Sequence, residues 1–500
     1  MQEKRISILE TILSLSALTI AILIFSKAII DIDTNYDVGW YHLPFAARIW
    51  GIIPIESFVA EAKIEDRYDG FPLLAHFFQG LLWKLTGRVQ ATNLVGYFSL
   101  VIYFFFLRNY FQVPLYLSTI AIFTIPAVLT HAATSFVDLP GNIGAATVMM
   151  MSYRFFSSSR LPNKKELLAA FLGAAMAVNT KPQLQPLIFV LYWVSGIRLI
   201  WLYFRHTAVG KRHLWLTIPL TAIASSLIFA TPIKNVALYG NPFYPTKVEV
   251  AGIVLNHRAT PQAYGDNNRP QKWLMSILEI NTPEWSADQL NRNGNKKLLD
   301  RAGGFFGAYV AFNLILLVSL TVREHLLNRA SVANKTRNAS TALSGILLVS
   351  LIPANFPQSH ELRYFMFWMI TLVSLNLCII FSLLDKNKWI RAQYIGLVYL
   401  PFFIAMCIKI ESFYLKPDFR TLEVYLDRTI NTEFLEQISP KENNCVISRY
   451  EYNSTESIPL QHVFYYSSYF HPELGANYSI TVQENAKQCK TSKVIPRSKN

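Results

Sequence analysis

Charge is scarce in this chain. Asp, Glu, Lys and Arg make up 16% of its 500 residues, where soluble domains carry about 25%. Hydrophobic residues reach 52% and gather in long runs. A soluble globular enzyme is thereby excluded, and a polytopic membrane protein is expected. Cysteine is scarce too, with Cys378, Cys407, Cys445 and Cys489 the only four. No CxxC, HExxH or P-loop pattern occurs, so zinc and nucleoside-triphosphate sites have no support. No internal repeat or low-complexity segment is visible, which weighs against a transporter built from inverted halves.

The charge that is present is mostly positive, with a formal net charge of +14. That value could suggest a nucleic-acid partner. The Lys and Arg residues sit mostly in short loops between apolar runs, however, as the positive-inside rule requires, and no nucleic acid is expected. Apolar runs fall near 11–30, 91–107, 114–130, 139–156, 166–179, 184–204, 214–231, 303–322, 342–355, 364–384 and 395–410. Each is read as a membrane helix, about eleven in all. The first run is longer than a signal-peptide core and lacks a small-residue cleavage site, so it reads as a retained signal anchor.

Placing Lys4 and Arg5 in the cytoplasm puts the basic loops on one side. These are Arg108; Arg154, Arg160, Lys164 and Lys165; Arg205, Lys211 and Arg212; Arg323, Arg329, Lys335 and Arg337; Lys386, Lys388 and Arg391. The other side receives an acidic cluster at 31–37, Asp138, a large loop at 232–301 and a polar tail at 411–500. The segment 71–85, FPLLAHFFQGLLWKL, is apolar but short, and His76, Gln79 and Lys84 interrupt it. Counting it as a span would invert every later loop. It is expected instead as an amphipathic helix on the outer membrane surface, within a first outer loop at 31–90. The expected organisation is a transmembrane domain at 1–410 followed by a small extracytoplasmic tail domain at 411–500, of β or α/β character. Cys378 and Cys407 lie in apolar runs and read as packing residues. Cys445 and Cys489 are a candidate disulfide pair if the tail lies outside the cytoplasm.

The stretch 31–44, DIDTNYDVGWYHLP, emerges where the chain leaves its first apolar run. Asp37 is the leading candidate there: a carboxylate at this place can accept a proton from an acceptor or hold a divalent cation. Its bland reading is an interfacial acid that keeps contact with water. Asp138, in TSFVDLPG, falls in the next outer loop, where an Asp before Leu-Pro also suits a helix cap. Lys181, in NTKPQ, lands on the same side and suits a phosphate, although a snorkelling lysine at a helix end is commoner. Arg363, in SHELRYF, can clamp a phosphate bidentately or pair locally with His360 and Glu361. The large loop adds His257, Arg258, Arg269 and Lys272, most of them read as solvated charges.

Taken in order, DVGWYHLPFAARIWG, FPLLAHFFQGLLWKLTG, TSFVDLP, GAAMAVNTKPQ, YGNPFYP and ELRYFMF resemble the GT-C glycosyltransferases. Within them the chain is most similar to the family 39-like bacterial membrane proteins, the group of the protein O-mannosyltransferases and the lipid A aminoarabinose transferase. The resemblance implies an all-α polytopic GT-C-like fold in the bacterial inner membrane, with its active site facing outside the cytoplasm. It implies transfer of a sugar from a polyprenyl-phosphate donor to a lipid, glycan or protein acceptor. Asp37 and Asp138 take the catalytic positions, and Tyr41, His42, Lys181, Arg363 and Tyr364 take substrate-binding ones. A divalent cation, Mg or Mn, is the cofactor the two acids would hold if one is used. The family's first motif often has a second acid after the first and an Arg before the Tyr, where this chain has Val38 and Trp40. Asp33 is therefore a rival to Asp37. The alternatives are an O-antigen ligase- or polymerase-like enzyme, which needs no paired outer acids, and a lipid-linked sugar transporter, which needs charges at mid-span.

Overall fold

A computed structural model describes residues 8–206, 214–250, 252–261, 264–265, 267–280, 305–330, 338–384, 392–409, 415–448, 458–475, 478–489 and 492–496. The chain is mostly helical. Six helices among the described residues are long and apolar enough to cross a bilayer: Ile8–Ile30, Val89–Phe111, Pro182–Arg205, Phe305–Asn328, Asn338–Asn355 and Leu362–Ser382. A seventh span results if Pro219–Ile228 and Ala230–Tyr239, bent by 73° at their junction, count as one. Among the described residues, fewer spans than eleven thus satisfy length and composition. The run at 114–130 breaks into Leu115–Phe123 and Pro126–His131, because Pro126 cannot donate to the preceding turn. Lys164–Val178 is only 15 residues long. Part of the basic loop set, namely Lys211, Arg212, Lys335, Arg337, Lys386, Lys388 and Arg391, lies outside the described residues.

The helix Asp138–Ser157 stands at the centre of the bundle. Most of its side chains are buried around its whole circumference. Its 20 residues rise about 30 Å, the depth of a hydrocarbon core. It is not strongly apolar because protein, not lipid, surrounds it. Lys164–Val178 packs on it at a glycine pair. A Cβ on Gly144 would come within 2.6 Å of the Gly173 carbonyl, and one on Gly173 within 2.9 Å of the Gly144 carbonyl. Small residues allow this close backbone approach in the way common to membrane helices. The two ends of the central helix differ in chemistry. Asp138 starts it, while Arg154 near its far end pairs with Glu166, which Arg160 also meets.

The segment at 71–85 contains the helix Leu74–Thr86. Two of its polar residues point inward: His76 and Gln79 are buried, and Gln79 donates to the Ser135 carbonyl at 2.6 Å. Phe77, Phe78 and Leu85 are exposed. Trp83 and Ala75 are buried with His76 and Gln79, and Lys84 is exposed, so the inner face is mixed and the outer face mostly apolar. An additional short helix, Ala62–Gly70, precedes it.

The tail does not stand apart from the first loop. Strands β1 (Phe58–Val59), β4 (Asn443–Ile447), β5 (Ser479–Gln483) and β6 (Lys493–Pro496) form a parallel sheet in the order β1-β5-β4-β6, while β2 (Glu249–Val250) and β3 (Ile253–Val254) pair separately. The first loop thus lends its strand to the sheet of the tail. A disulfide joins Cys445 to Cys489 with Cα atoms 5.7 Å apart. A second tie lies at the end of the first helix. Lys27 meets Asp31 at 2.8 Å and Asp418 at 3.1 Å, and Asp31 accepts the backbone N–H groups of Asp418 and Arg420. Asp31→Ala should cost about 3 kcal/mol, since it strips Lys27 of one counter-charge and orphans two backbone donors. Thermal unfolding and limited proteolysis of the tail in detergent would measure this; a variant as stable as wild type would show the tie to be idle.

Candidate active site

Four of the sequence-derived residues meet as two ion pairs at one end of the bundle. The chain leaves the first helix through 31–35 and enters a π-helical turn, Val38–His42, which runs into Leu43–Ile49 with Pro44 at its start. Asp37 occupies the N-cap position of this turn without a side-chain cap bond, and its side chain is 19% exposed. Its Oδ2 accepts from Arg363 Nη1 at 3.0 Å. Asp138 is fully buried at the start of the central helix, and Lys181 Nζ lies 3.0 Å from its Oδ1. Tyr364 joins the two pairs: Lys181 Nζ lies 5.2 Å from its ring centre, and the Arg363 guanidinium lies 4.9 Å from it and donates to its hydroxyl at 3.2 Å. Burial pulls the Lys181 ammonium below the usual lysine range, and Asp138 pulls it back.

A cavity of about 1000 Å³ opens over this constellation. Asp37, Tyr41, His42, Lys181, Arg363 and Tyr364 all line it. Tyr41 is held protonated, its hydroxyl pushed well above the usual range by burial and then by Asp37. Asp33 is not among the lining residues. Its Oδ1 accepts from the Asn35 backbone and side chain, and its Oδ2 from the Ser135 N–H at 2.8 Å. Asp33 thus fastens the first loop to the second, while Asp37 faces the cavity. His360 stays 3.9 Å from Glu361, and Glu361 lies 4.0 Å from Arg363. From the large loop, Arg269 lines the cavity and donates to the carbonyls of Asn355 and Tyr264. His257, Arg258 and Lys272 are not part of its described lining.

Several lining residues escaped the sequence reading. His76 Nε2 lies 2.8 Å from His42 Nδ1. Arg67 comes from the short helix Ala62–Gly70, whose sequence AKIEDRYDG is polar enough to read as loop. Its guanidinium lies 4.8 Å over the ring of Trp40. Phe136, Lys247 and Tyr264 complete this part of the wall.

The donor set argues against a divalent cation. Mg and Mn favour several converging oxygen ligands. Here each acid already faces a cation, and no cluster of three or more His, Cys, Asp or Glu residues suited to a metal forms among the described residues.

The turn carrying Asp37 rests on the tail. A Cβ on Gly39 would lie 2.4 Å from the Gln461 carbonyl and 3.2 Å from the Tyr465 ring. Backbone cannot yield there cheaply, so Gly39→Ala should lower stability by about 1–3 kcal/mol, read by thermal unfolding. Unchanged unfolding would mean the turn is free of the tail. The histidine pair makes a pH prediction. Burial pushes His42 well below its usual 6.5, with His76 adding to this, and pushes His76 to about 3. The folded state therefore keeps both imidazoles neutral while the unfolded chain takes up protons below about 6.5. The pair's stabilisation is present above that pH and declines as pH falls, by up to about 1.4 kcal/mol per pH unit for each ring. Unfolding followed from pH 7 to about 4 should show a steeper loss in wild type than in the His42→Asn, His76→Asn double variant. Parallel slopes would contradict it.

No protein-family model matches the chain, and no curated protein sequence matches it. A similar solved structure is that of ArnT from Cupriavidus metallidurans in the apo state. It is 12% identical, the match covers 95% of this chain and 86% of that one, and the TM-score is 0.46. At that score the overlap does not establish a common fold, and the chemistry of the site must come from its own geometry.

Proposed function

We propose that the protein is a membrane glycosyltransferase that moves a sugar from a polyprenyl-phosphate carrier to a lipid, glycan or protein acceptor outside the cytoplasm. One observation carries this reading: two acids and two cations, Asp37 with Arg363 and Asp138 with Lys181, meet at one end of a membrane bundle beneath a single large cavity. The Cys445–Cys489 disulfide in the tail that packs beside this site supports an oxidising, extracytoplasmic setting.

In this mechanism the donor phosphate engages Arg363 and Lys181. Arg363 then turns part of its charge from Asp37 to the phosphate, which leaves Asp37 a stronger base. The acceptor oxygen or nitrogen attacks the anomeric carbon, and its proton passes to Asp37. The bond from that carbon to the phosphate oxygen breaks, and the phosphate departs with the electron pair, stabilised by the two cations. Asp138 keeps Lys181 in place inside the protein. Transport is less well supported, because two cations within the spans, Lys27 and Arg198, are tied structurally. Lys27 pairs with Asp31 and Asp418, and Arg198 donates to the carbonyls of Phe155 and Ser158.

The test is transfer of radiolabelled sugar from polyprenyl-phosphate donors in membranes at matched expression. Asp37→Asn should lose at least about 100-fold of the rate, the range expected for a general base. Arg363→Gln should lose a comparable factor and weaken donor binding. Transfer that survives Asp37→Asn would remove the base from the mechanism and overturn the reading.

A further inference from the structure

The cavity contains more positive charge than the two ion pairs use. Arg67 and Lys247 also line it. Among the described residues neither has an acid within ion-pair distance. Arg67 lies instead against aromatic faces, 4.8 Å from the centre of Trp40, 5.6 Å from Tyr41 and 5.9 Å from Phe71. Lys247 Nζ lies 5.1 Å from the centre of Tyr264. An aromatic face steadies a cation without consuming its N–H donors. Both side chains are thus positioned while their hydrogen-bonding capacity stays available.

The two cations belong to one wall. Arg67 is on the helix Ala62–Gly70, and Lys247 follows the turn at 241–245. The two elements interlock. Tyr244 donates its hydroxyl to Asp66 at 2.9 Å, and Asn235 Nδ2 donates to the carbonyls of Gly70 and Tyr244. A Cβ on Gly70 would come within 2.4 Å of the Tyr244 carbonyl, so the backbones touch. Asp66, the acid next to Arg67, is engaged by Tyr244, which leaves Glu249, exposed at β2, as the other acid lining the cavity besides Asp37.

We propose that Arg67 and Lys247 form a second anion subsite, which takes a phosphate or carboxylate distinct from the phosphate facing Lys181 and Arg363. The naming of its two sources rests on the transferase reading: the anion is either the second phosphate of a diphosphate carrier or an acidic group on the acceptor. Arginine suits both groups through its planar fork of donors.

Equilibrium binding to the full-length protein in detergent tests this with three probes: undecaprenyl phosphate, undecaprenyl diphosphate and methyl phosphate. The variants are Arg67→Gln with Lys247→Gln, and Arg67→Lys as the charge-retaining control, each checked by its melting temperature. If the carrier is the source, wild type binds the diphosphate roughly tenfold more tightly than the monophosphate, and the double variant loses that gain. If the acceptor is the source, the two carriers bind alike. Methyl phosphate then still binds to protein saturated with undecaprenyl phosphate, and the double variant binds it roughly tenfold more weakly. In either case Arg67→Lys retains part of the affinity. A double variant that melts like wild type and binds all three probes as wild type does would overturn the subsite. Sugar transfer is not part of the readout, so a protein that binds two anions but transfers nothing keeps the subsite and loses the transferase reading.

Discussion

A charge withdrawn from water needs an opposite charge beside it, and this molecule meets that need by pairing residues far apart in its chain. Asp37 finds Arg363 across 326 positions, and Lys27 finds Asp418 across 391. Asp138 and Lys181 close the gap between two adjacent helices. Each pair lies at the same end of the bundle and joins a helix end to a neighbouring connection. Removing one partner of such a pair strands the other at a cost of about 3–5 kcal/mol. The position of the first loop is therefore set by electrostatics as much as by packing, and the cavity takes its shape from that loop.

What the sequence made legible follows from how local each signal is. The first helix is visible because a long apolar run, broken only by Lys27 near its end, needs no context. Asp37, Asp138, Lys181 and Arg363 could be picked out because each polar residue stands at the edge of an apolar run, and the structure brings all four together. The central helix was legible as helix, but its burial was not, since the moderate hydropathy of Asp138–Ser157 reads the same whether lipid or protein surrounds it. The choice between Asp33 and Asp37 could not be made either. Both sit in DIDTNYD, and only the fold gives Asp33 the Ser135 N–H.

Other features depend on partners that a linear reading does not see. β1 is two residues long, and Phe58–Val59 becomes a strand only because β5 lies beside it. Leu74–Thr86 was legible as an amphipathic helix, but not what its polar positions would meet. Gln79 in fact reaches the Ser135 carbonyl and His76 reaches His42, so its polarity serves the interior. Arg67 escaped notice because its importance comes from the aromatic rings beneath it, two of which, Trp40 and Tyr41, lie in another element.

The sheet that joins β1 to β5 also sets an order of assembly. Phe58 pairs with Ile480, so the ribosome must add about 420 further residues before the partner strand exists, which at about 5–20 residues per second takes on the order of 20–80 s. For most of that interval the Asp37 turn lacks first Arg363 and then, until later still, the tail surface that Gly39 packs against. The nascent membrane domain can insert and pack its helices during this time, but its cavity has no finished wall. The site becomes complete only when the tail strand has been made and has paired with the first loop.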